Sequence, residues 1–217
     1  MSAGAARLTI SASIVSAELL DLREELGRAR DAGVDRIHVD IEDGAFVPVM
    51  NLGTRLAESA VQWGGLPVDV HLMVEHPEEV IRMLDGVAVD SIAIHAESTR
   101  YPRRVLGIIR STGRRAGLAL NPASPLPELA ALDPYLDYVL LLTTEPEDIV
   151  PAFLGARLAA IEQLSTGGIP VVVDGGVDPG NAGAVAAAGA AGVVVGRALF
   201  GSTDMAATVT AIRAAAE

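Results

Sequence analysis

Eight short apolar runs, separated by stretches of helical periodicity, constrain the fold more than anything else in this chain. The runs are Leu8–Ile14, Arg36–Asp40, Val68–Met73, Ser91–His95, Arg115–Leu120, Tyr138–Leu142, Val171–Asp174 and Gly192–Val195. Most are near-continuous in apolar residues, which is how strands buried on both faces read. The intervening patterns include Ala17–Ala32, where Leu19, Leu22, Leu26 and Ala29 fall at helical spacing. Others are Pro77–Leu84, Arg103–Ser111, Phe153–Ser165, Asn181–Ala188 and Asp204–Ala216. Strands that alternate with helices build parallel sheets. Eight such units in 217 residues predict an α/β fold, a single (β/α)8 TIM barrel. An open doubly wound sheet is the competing arrangement. No Gly/Ser/Pro-rich linker divides the chain, so one domain is expected over residues 1–217. The Ala/Gly-rich stretch 180–192 resembles low complexity, but its spacing suits a helix entering a strand.

Composition closes off several functions. The formal net charge is −12, and an acidic surface argues against nucleic acid, which is held by an excess of Lys and Arg. The first ten residues lack the apolar core of a signal peptide. No window approaches the roughly 18 apolar residues of a membrane span. A soluble, cytoplasmic protein is expected. There is no cysteine, which excludes disulfides, thiolate catalysis and Cys-based metal sites. There is no lysine either, all 16 basic residues being arginine, so no Schiff base can form on a lysine amine.

The strands carry polar residues at or near their C-terminal ends, where barrels assemble active sites. Two imidazoles and two carboxylates are among them: His38 and Asp40 in "RIHVDIEDG", His71 in "PVDVHLM" and Asp174 in "VVVDGGV". Such a set holds a divalent cation and places two carboxylates around a substrate. Alternate residues share a strand face, so Glu42 points with His38 and Asp40 if the strand reaches it. Each motif alone also reads blandly, as a satisfied core histidine, a helix N-cap aspartate or an ordinary strand-to-helix turn. Unpartnered polar groups on apolar strands are costly, and their recurrence on three strands favours a common site.

The last two β-to-α turns, "DGGVDPGN" and "VVVGRALFG", open helices where backbone N–H groups attract phosphate. Gly175, Gly176, Gly196 and Arg197 are the candidate contacts, Arg197 through its side chain as well. Ser13 is a candidate hydroxyl contact to substrate. His95 and Glu97 end the fourth run and either line the mouth or are structural. Asn121 is a candidate support for a loop or the sugar. His76 reads as surface, and Trp63 as packing.

Together these segments resemble the ribulose-phosphate 3-epimerase family from about Leu8 to Phe200. The motifs, in order, are "SASIVSAEL", "IHVDIEDGAFVP", "VDVHLMVEHP", "IHAES", "GLALNPASP", "VVVDGGV" and "VVVGRALFG". The resemblance implies a ribulose-phosphate-binding (β/α)8 barrel that interconverts D-ribulose 5-phosphate and D-xylulose 5-phosphate. It implies one divalent metal held by His38, Asp40, His71 and Asp174, with zinc, iron, manganese and cobalt all compatible. It also implies Asp40 and Asp174 as the proton-transfer pair working through a 2,3-enediolate, Met73 as part of an apolar cap over the sugar, and a homo-oligomer.

Four departures fall around the substrate. The family's glycine-rich turn after strand six is replaced here by Glu145, Pro146, Glu147, Asp148, Ile149, Val150 and Pro151. Glu42 stands where methionine is usual, Arg197 where a small residue is usual, and Val49 where asparagine often follows "FVP". Leu142 is a mild replacement for another cap methionine. Glu42, Leu142 and Glu145 are therefore candidate specificity residues. The alternative reading is an epimerase for another ketose or its phosphate, such as a six-carbon sugar phosphate or a sugar of specialised metabolism. A non-catalytic sugar-phosphate-binding barrel is a third. Decarboxylases and aldol-type synthases that use Asp-x-Lys-x-x-Asp are excluded by the absence of lysine. A tryptophan-pathway barrel would explain the glycine turns but not the His and Asp residues at the mouth.

Overall fold

The computed structural model describes residues 7–146 and 152–217; Glu147 to Pro151 of the altered turn lie outside the described residues. The strands are β1 (Thr9–Ser13), β2 (Arg36–Glu42), β3 (Val68–Met73), β4 (Ser91–His95), β5 (Arg115–Leu120), β6 (Tyr138–Leu142), β7 (Val171–Asp174) and β8 (Gly192–Val195). All neighbours pair in parallel, and β1 pairs with β8 to close the barrel in chain order. The expected barrel is therefore observed, and the open sheet is not. Two strands differ from expectation. β1 is shorter by a residue at each end, and β2 runs on to Glu42 because it pairs with β3 as far as Met73.

The helices are α1 (Leu22–Asp31), α2 (Thr54–Trp63), α3 (Pro77–Met83), α4 (Pro102–Ser111), α5 (Leu158–Thr166), α6 (Ala182–Ala187), α7 (Arg197–Phe200) and α8 (Met205–Ala215). The long first helix expected from Ala17 is broken. Glu18 caps a 3-10 turn over Leu19–Asp21 by accepting from the Leu20 N–H, and α1 starts only at Leu22. The sequence reading missed α2, which buries Leu56, Ala57 and Ala60 and stops at Gly64, whose φ of 74° is left-handed. Between β5 and β6 the described chain makes only a 3-10 turn, Leu129–Ala131. Two helices follow β8 instead.

Side-chain alternation sorts the strands into two layers. Ile37, Val39 and Ile41 join the large apolar layer between barrel and helices, with Val70, Leu72, Ile92, Ile94, Leu118, Val139 and Val173. The alternate residues make a second, much smaller apolar cluster of Ala93, Ala119, Tyr138, Leu140, Leu142 and Val194. Gly117 makes room for it, since a Cβ there would stand 2.3 Å from the Tyr138 ring. The same alternation on β1 to β4 delivers Ser11, Ser13, His38, Asp40, Glu42, Asp69, His71, Ser91 and His95, all buried. Half the barrel lining is thus apolar and half polar. Buried polar and charged groups must pair or hold an ion.

Candidate active site and metal centre

His38, Asp40, His71 and Asp174 each offer one ligand atom, and these atoms lie within 4.8 Å of one another. The pleat explains the meeting: Asp40 stands beside His71 in the β2–β3 register, and Asp174 comes from β7 on the other side of the barrel. His38 Nε2 lies 3.3 Å from Asp40 Oδ1 and 3.8 Å from Asp174 Oδ2. His71 Nδ1 lies 3.0 Å from Asp40 Oδ1 and 3.6 Å from Asp174 Oδ2. His38 Nε2 is buried with no hydrogen-bond partner. An orphaned imidazole nitrogen aimed between two carboxylates fits a divalent cation, and the mixed N/O donor set suits zinc, iron, manganese or cobalt.

Supporting contacts orient the set. His38 Nδ1 meets Asp69 Oδ2 at 2.6 Å, and Asp69 Oδ1 accepts from Arg36 Nε at 2.9 Å. Arg36 also reaches Asp90 at 2.5 Å. Ser13 Oγ donates to Asp40 Oδ2 at 2.8 Å. Asn51 Nδ2 donates to the Asp40 carbonyl at 2.9 Å and to Glu42 Oε2 at 2.8 Å. Glu42 is thus turned toward Asn51 and is outside the four-residue cluster.

The two aspartates sit in opposite electrostatic situations. Burial would raise Asp40, but His38 and His71 beside it hold it far below the ordinary carboxylate range. Burial pushes Asp174 up to about 7, with Asp40 adding to the rise and His38 opposing it. Burial disfavours the charged His38, yet Asp40 and Asp69 raise it well above an ordinary histidine. Burial lowers His71 and His95.

A cavity of about 570 Å³ opens above the four residues. It is lined by Ser13, Asp40, Glu42, His71, Met73, Leu142, Glu145, Asp174, Gly175, Gly176, Gly196 and Arg197; of the candidates read from sequence, His38, His95, Glu97 and Asn121 do not line it. His38 lies behind it and lines a smaller cavity with Arg36 and Asp69. Asp178 and Asn181 also line the main cavity and were missed; they sit in an ordinary-looking Asp-Pro-Gly-Asn turn. Asp69 and Asn51 were missed too. Asp69 had a usable signal, because its alternation with His71 places it on the polar face. Asn121 supports a loop through its backbone N–H, which donates to Glu97 at 3.0 Å. His76 is exposed and Trp63 packs on the outer apolar layer, as read from sequence.

A closed parallel barrel with glycine turns at its mouth and a His/Asp cluster there that could hold a metal places the chain in the TIM-barrel class, with its site at the C-terminal ends of the strands. The description Ribulose-phosphate 3 epimerase family matches residues 9–200. Ribulose-phosphate 3-epimerase 1 of Cupriavidus necator is 36% identical over 91% of this chain and 86% of its own length. Ribulose-phosphate 3-epimerase of Methanocaldococcus jannaschii is 35% identical over 96% and 91%. Among solved structures, a 3-hexulose-6-phosphate synthase superposes with a TM-score of 0.74 at 19% identity, covering 97% of this chain and all of the other, a likeness of fold alone. The chain belongs to the ribulose-phosphate 3-epimerase family and is an isomerase.

Proposed function

We propose that this protein inverts C3 of D-ribulose 5-phosphate to give D-xylulose 5-phosphate, with Asp40 and Asp174 as the proton-transfer pair. One observation carries the reading: two carboxylates from separate strands, Asp40 and Asp174, meet two imidazoles beneath the cavity with their ligand atoms within 4.8 Å of one another, a set that could hold a metal. Without metal, His38 and His71 hold Asp40 below the ordinary carboxylate range against its burial, and burial pushes Asp174 up. The ionised carboxylate takes the C3 proton, and the C–H electron pair becomes the C2–C3 double bond of a 2,3-enediolate. The protonated carboxylic acid delivers its proton to C3 from the opposite face, which inverts the centre. Unequal protonation states suit the two residues to these roles, which exchange when the reaction runs in reverse. His38, Asp40, His71 and Asp174 would hold a divalent cation, whose charge offsets the negative charge that develops on the substrate oxygens. Ser13 fixes Asp40 with a hydrogen bond. Met73 and Leu142 give the sugar an apolar wall.

Gly175, Gly176, Gly196 and Arg197 are assigned to the phosphate. Glu145 lines the same cavity and, with Glu42, is assigned to substrate selection. The exposed side chains of Leu20, Met50 and Leu52 support a homo-oligomer, which sedimentation tests. The reaction is tested by solvent-deuterium incorporation at C3 of ribulose 5-phosphate, with and without added divalent metal. Metal-dependent exchange that yields xylulose 5-phosphate is expected. No exchange from a folded, metal-loaded protein would reject this substrate and turn the search to other ketoses.

A further inference from the structure

His95 and Glu97 do not line the cavity and are not among the four ligand residues, yet they join the cluster from behind through His71. His71 presents Nδ1 to Asp40 and Asp174 and turns its other nitrogen away from them. That Nε2 lies 2.8 Å from His95 Nε2. His95 Nδ1 in turn lies 3.2 Å from Glu97 Oε2. The two rings are stacked, with centroids 4.9 Å apart, and Phe46 packs on the other side of His95. His71 and His95 are both fully buried, so water cannot supply a missing donor or acceptor.

Tautomers decide the direction of this row. A close Nε2–Nε2 contact holds one hydrogen, so one imidazole donates and the other accepts. Glu97 is held as an acceptor: burial raises it, but hydrogen bonds from His95, Ser124 and the Asn121 N–H bring it down to about 2. An ionised carboxylate places the His95 hydrogen on Nδ1. His95 Nε2 then carries a lone pair and accepts from His71 Nε2–H. The hydrogen of His71 being spent there, its Nδ1 lone pair faces the two aspartates. The opposite orientation would leave His95 Nδ1 with a lone pair against a carboxylate and put a hydrogen where a cation must bind.

We propose that Glu97 is a positioning residue that acts through His95 to hold His71 in the tautomer able to ligate metal. The proposal rests on the four-residue metal site argued above. His38 has a direct counterpart, Asp69, at its Nδ1. The two metal-binding imidazoles are thus oriented by different means, one by a carboxylate in contact and the other by a carboxylate one ring removed. Outer partners of this kind commonly change metal affinity by 10- to 100-fold.

The test uses zinc as the probe and chelator competition as the readout, with protein folding followed by circular dichroism. Zinc bound by the unaltered protein and lost in Asp40→Asn establishes the site. Glu97→Gln and His95→Phe should each weaken zinc binding by about 10- to 100-fold. The double variant should bind like His95→Phe alone, because Glu97 has no route to the metal once the ring is gone. Nitrogen-15 NMR of histidine in the zinc-loaded, unaltered protein should show hydrogens on His71 Nε2 and His95 Nδ1. This readout does not depend on any variant folding. Unchanged zinc affinity in Glu97→Gln, additive losses in the double variant, or a hydrogen on His95 Nε2 would each overturn the relay while leaving the metal site standing. No zinc binding by the unaltered protein would overturn both.

Discussion

Replacing Asp174 by Asn should cost activity and, in the metal-free protein at alkaline pH, add stability. Asp174 has its carboxyl raised from 3.8 to about 7, chiefly by burial, and its side chain is only 19% exposed. The sign follows from proton binding. The folded carboxyl holds its proton up to about pH 7, whereas the unfolded one releases it near pH 4. Between these values the native state binds more protons, so stability falls as pH rises through the window. A rise of roughly three pH units corresponds to about 4 kcal/mol at 1.36 kcal/mol per unit. Asn has nearly the same shape and no charge, but its buried amide keeps part of the cost, so a gain of about 2–4 kcal/mol is expected at pH 8. For a chain of this size that is roughly 4–16 °C in melting temperature. At pH 4 the gain should vanish, because the parent carboxyl is then neutral too. The assay is thermal melting of chelator-treated parent and variant at both pH values, paired with epimerase kinetics on the metal-loaded proteins. Loss of a positioned acid/base should lower kcat by about 10²- to 10⁴-fold. A variant that melts below the parent at pH 8, or that keeps kcat within tenfold, would refute the reasoning.

Arg197→Ala should raise KM for the sugar phosphate about 10- to 100-fold, the worth of a charged hydrogen bond, with little change in kcat; steady-state kinetics reads both. Zinc affinity should rise with pH near neutrality, because Asp174, its carboxyl pushed up to about 7 mainly by burial, must lose its proton to ligate, as must His38, which Asp40 raises against its burial. Calorimetry in buffers of different ionisation heat should register that proton release. Gly117→Ala should destabilise the protein by about 1–3 kcal/mol, because the new Cβ would meet the Tyr138 ring at 2.3 Å; denaturant midpoints measure it.

The strands were legible because each is a compact apolar run, and six of the eight keep the bounds read from sequence. The four ligand residues were legible because a charged side chain inside such a run is an anomaly. Other features carried no such mark. Helix α2 buries only Leu56, Ala57 and Ala60, a narrow face with two small residues that barely rises above its polar flanks. The break before α1 depends on one Glu18 cap, a local competition that periodicity does not register. His95 and Glu97 were visible as residues but ambiguous in role. What gives them one is a 2.8 Å contact between rings from β3 and β4, and register fixes that contact rather than either strand's own pattern.

The polar half of the barrel would be a liability in a purely structural protein. Ser13, His38, Asp40, Asp69, His71 and His95 are all buried, and each forgoes water. Their hydrogen bonds run inward: Arg36 to Asp69 to His38, Ser13 to Asp40, and Glu97 through His95 to His71. The chains converge on one point, where His38 Nε2 is left without a partner. Opposite them, Leu140, Leu142 and Val194 supply an apolar wall that offers Asp174 little solvation. Burial raises both carboxylates, and the imidazoles separate them: His38 and His71 lie 3.3 and 3.0 Å from Asp40 but 3.8 and 3.6 Å from Asp174, which leaves Asp40 below its ordinary range and Asp174 above it. Enlarging the polar half, for example by Leu140→Asn, should draw Asp174 back toward an ordinary carboxylate, a shift that carboxyl-carbon NMR titration of the metal-free protein would detect.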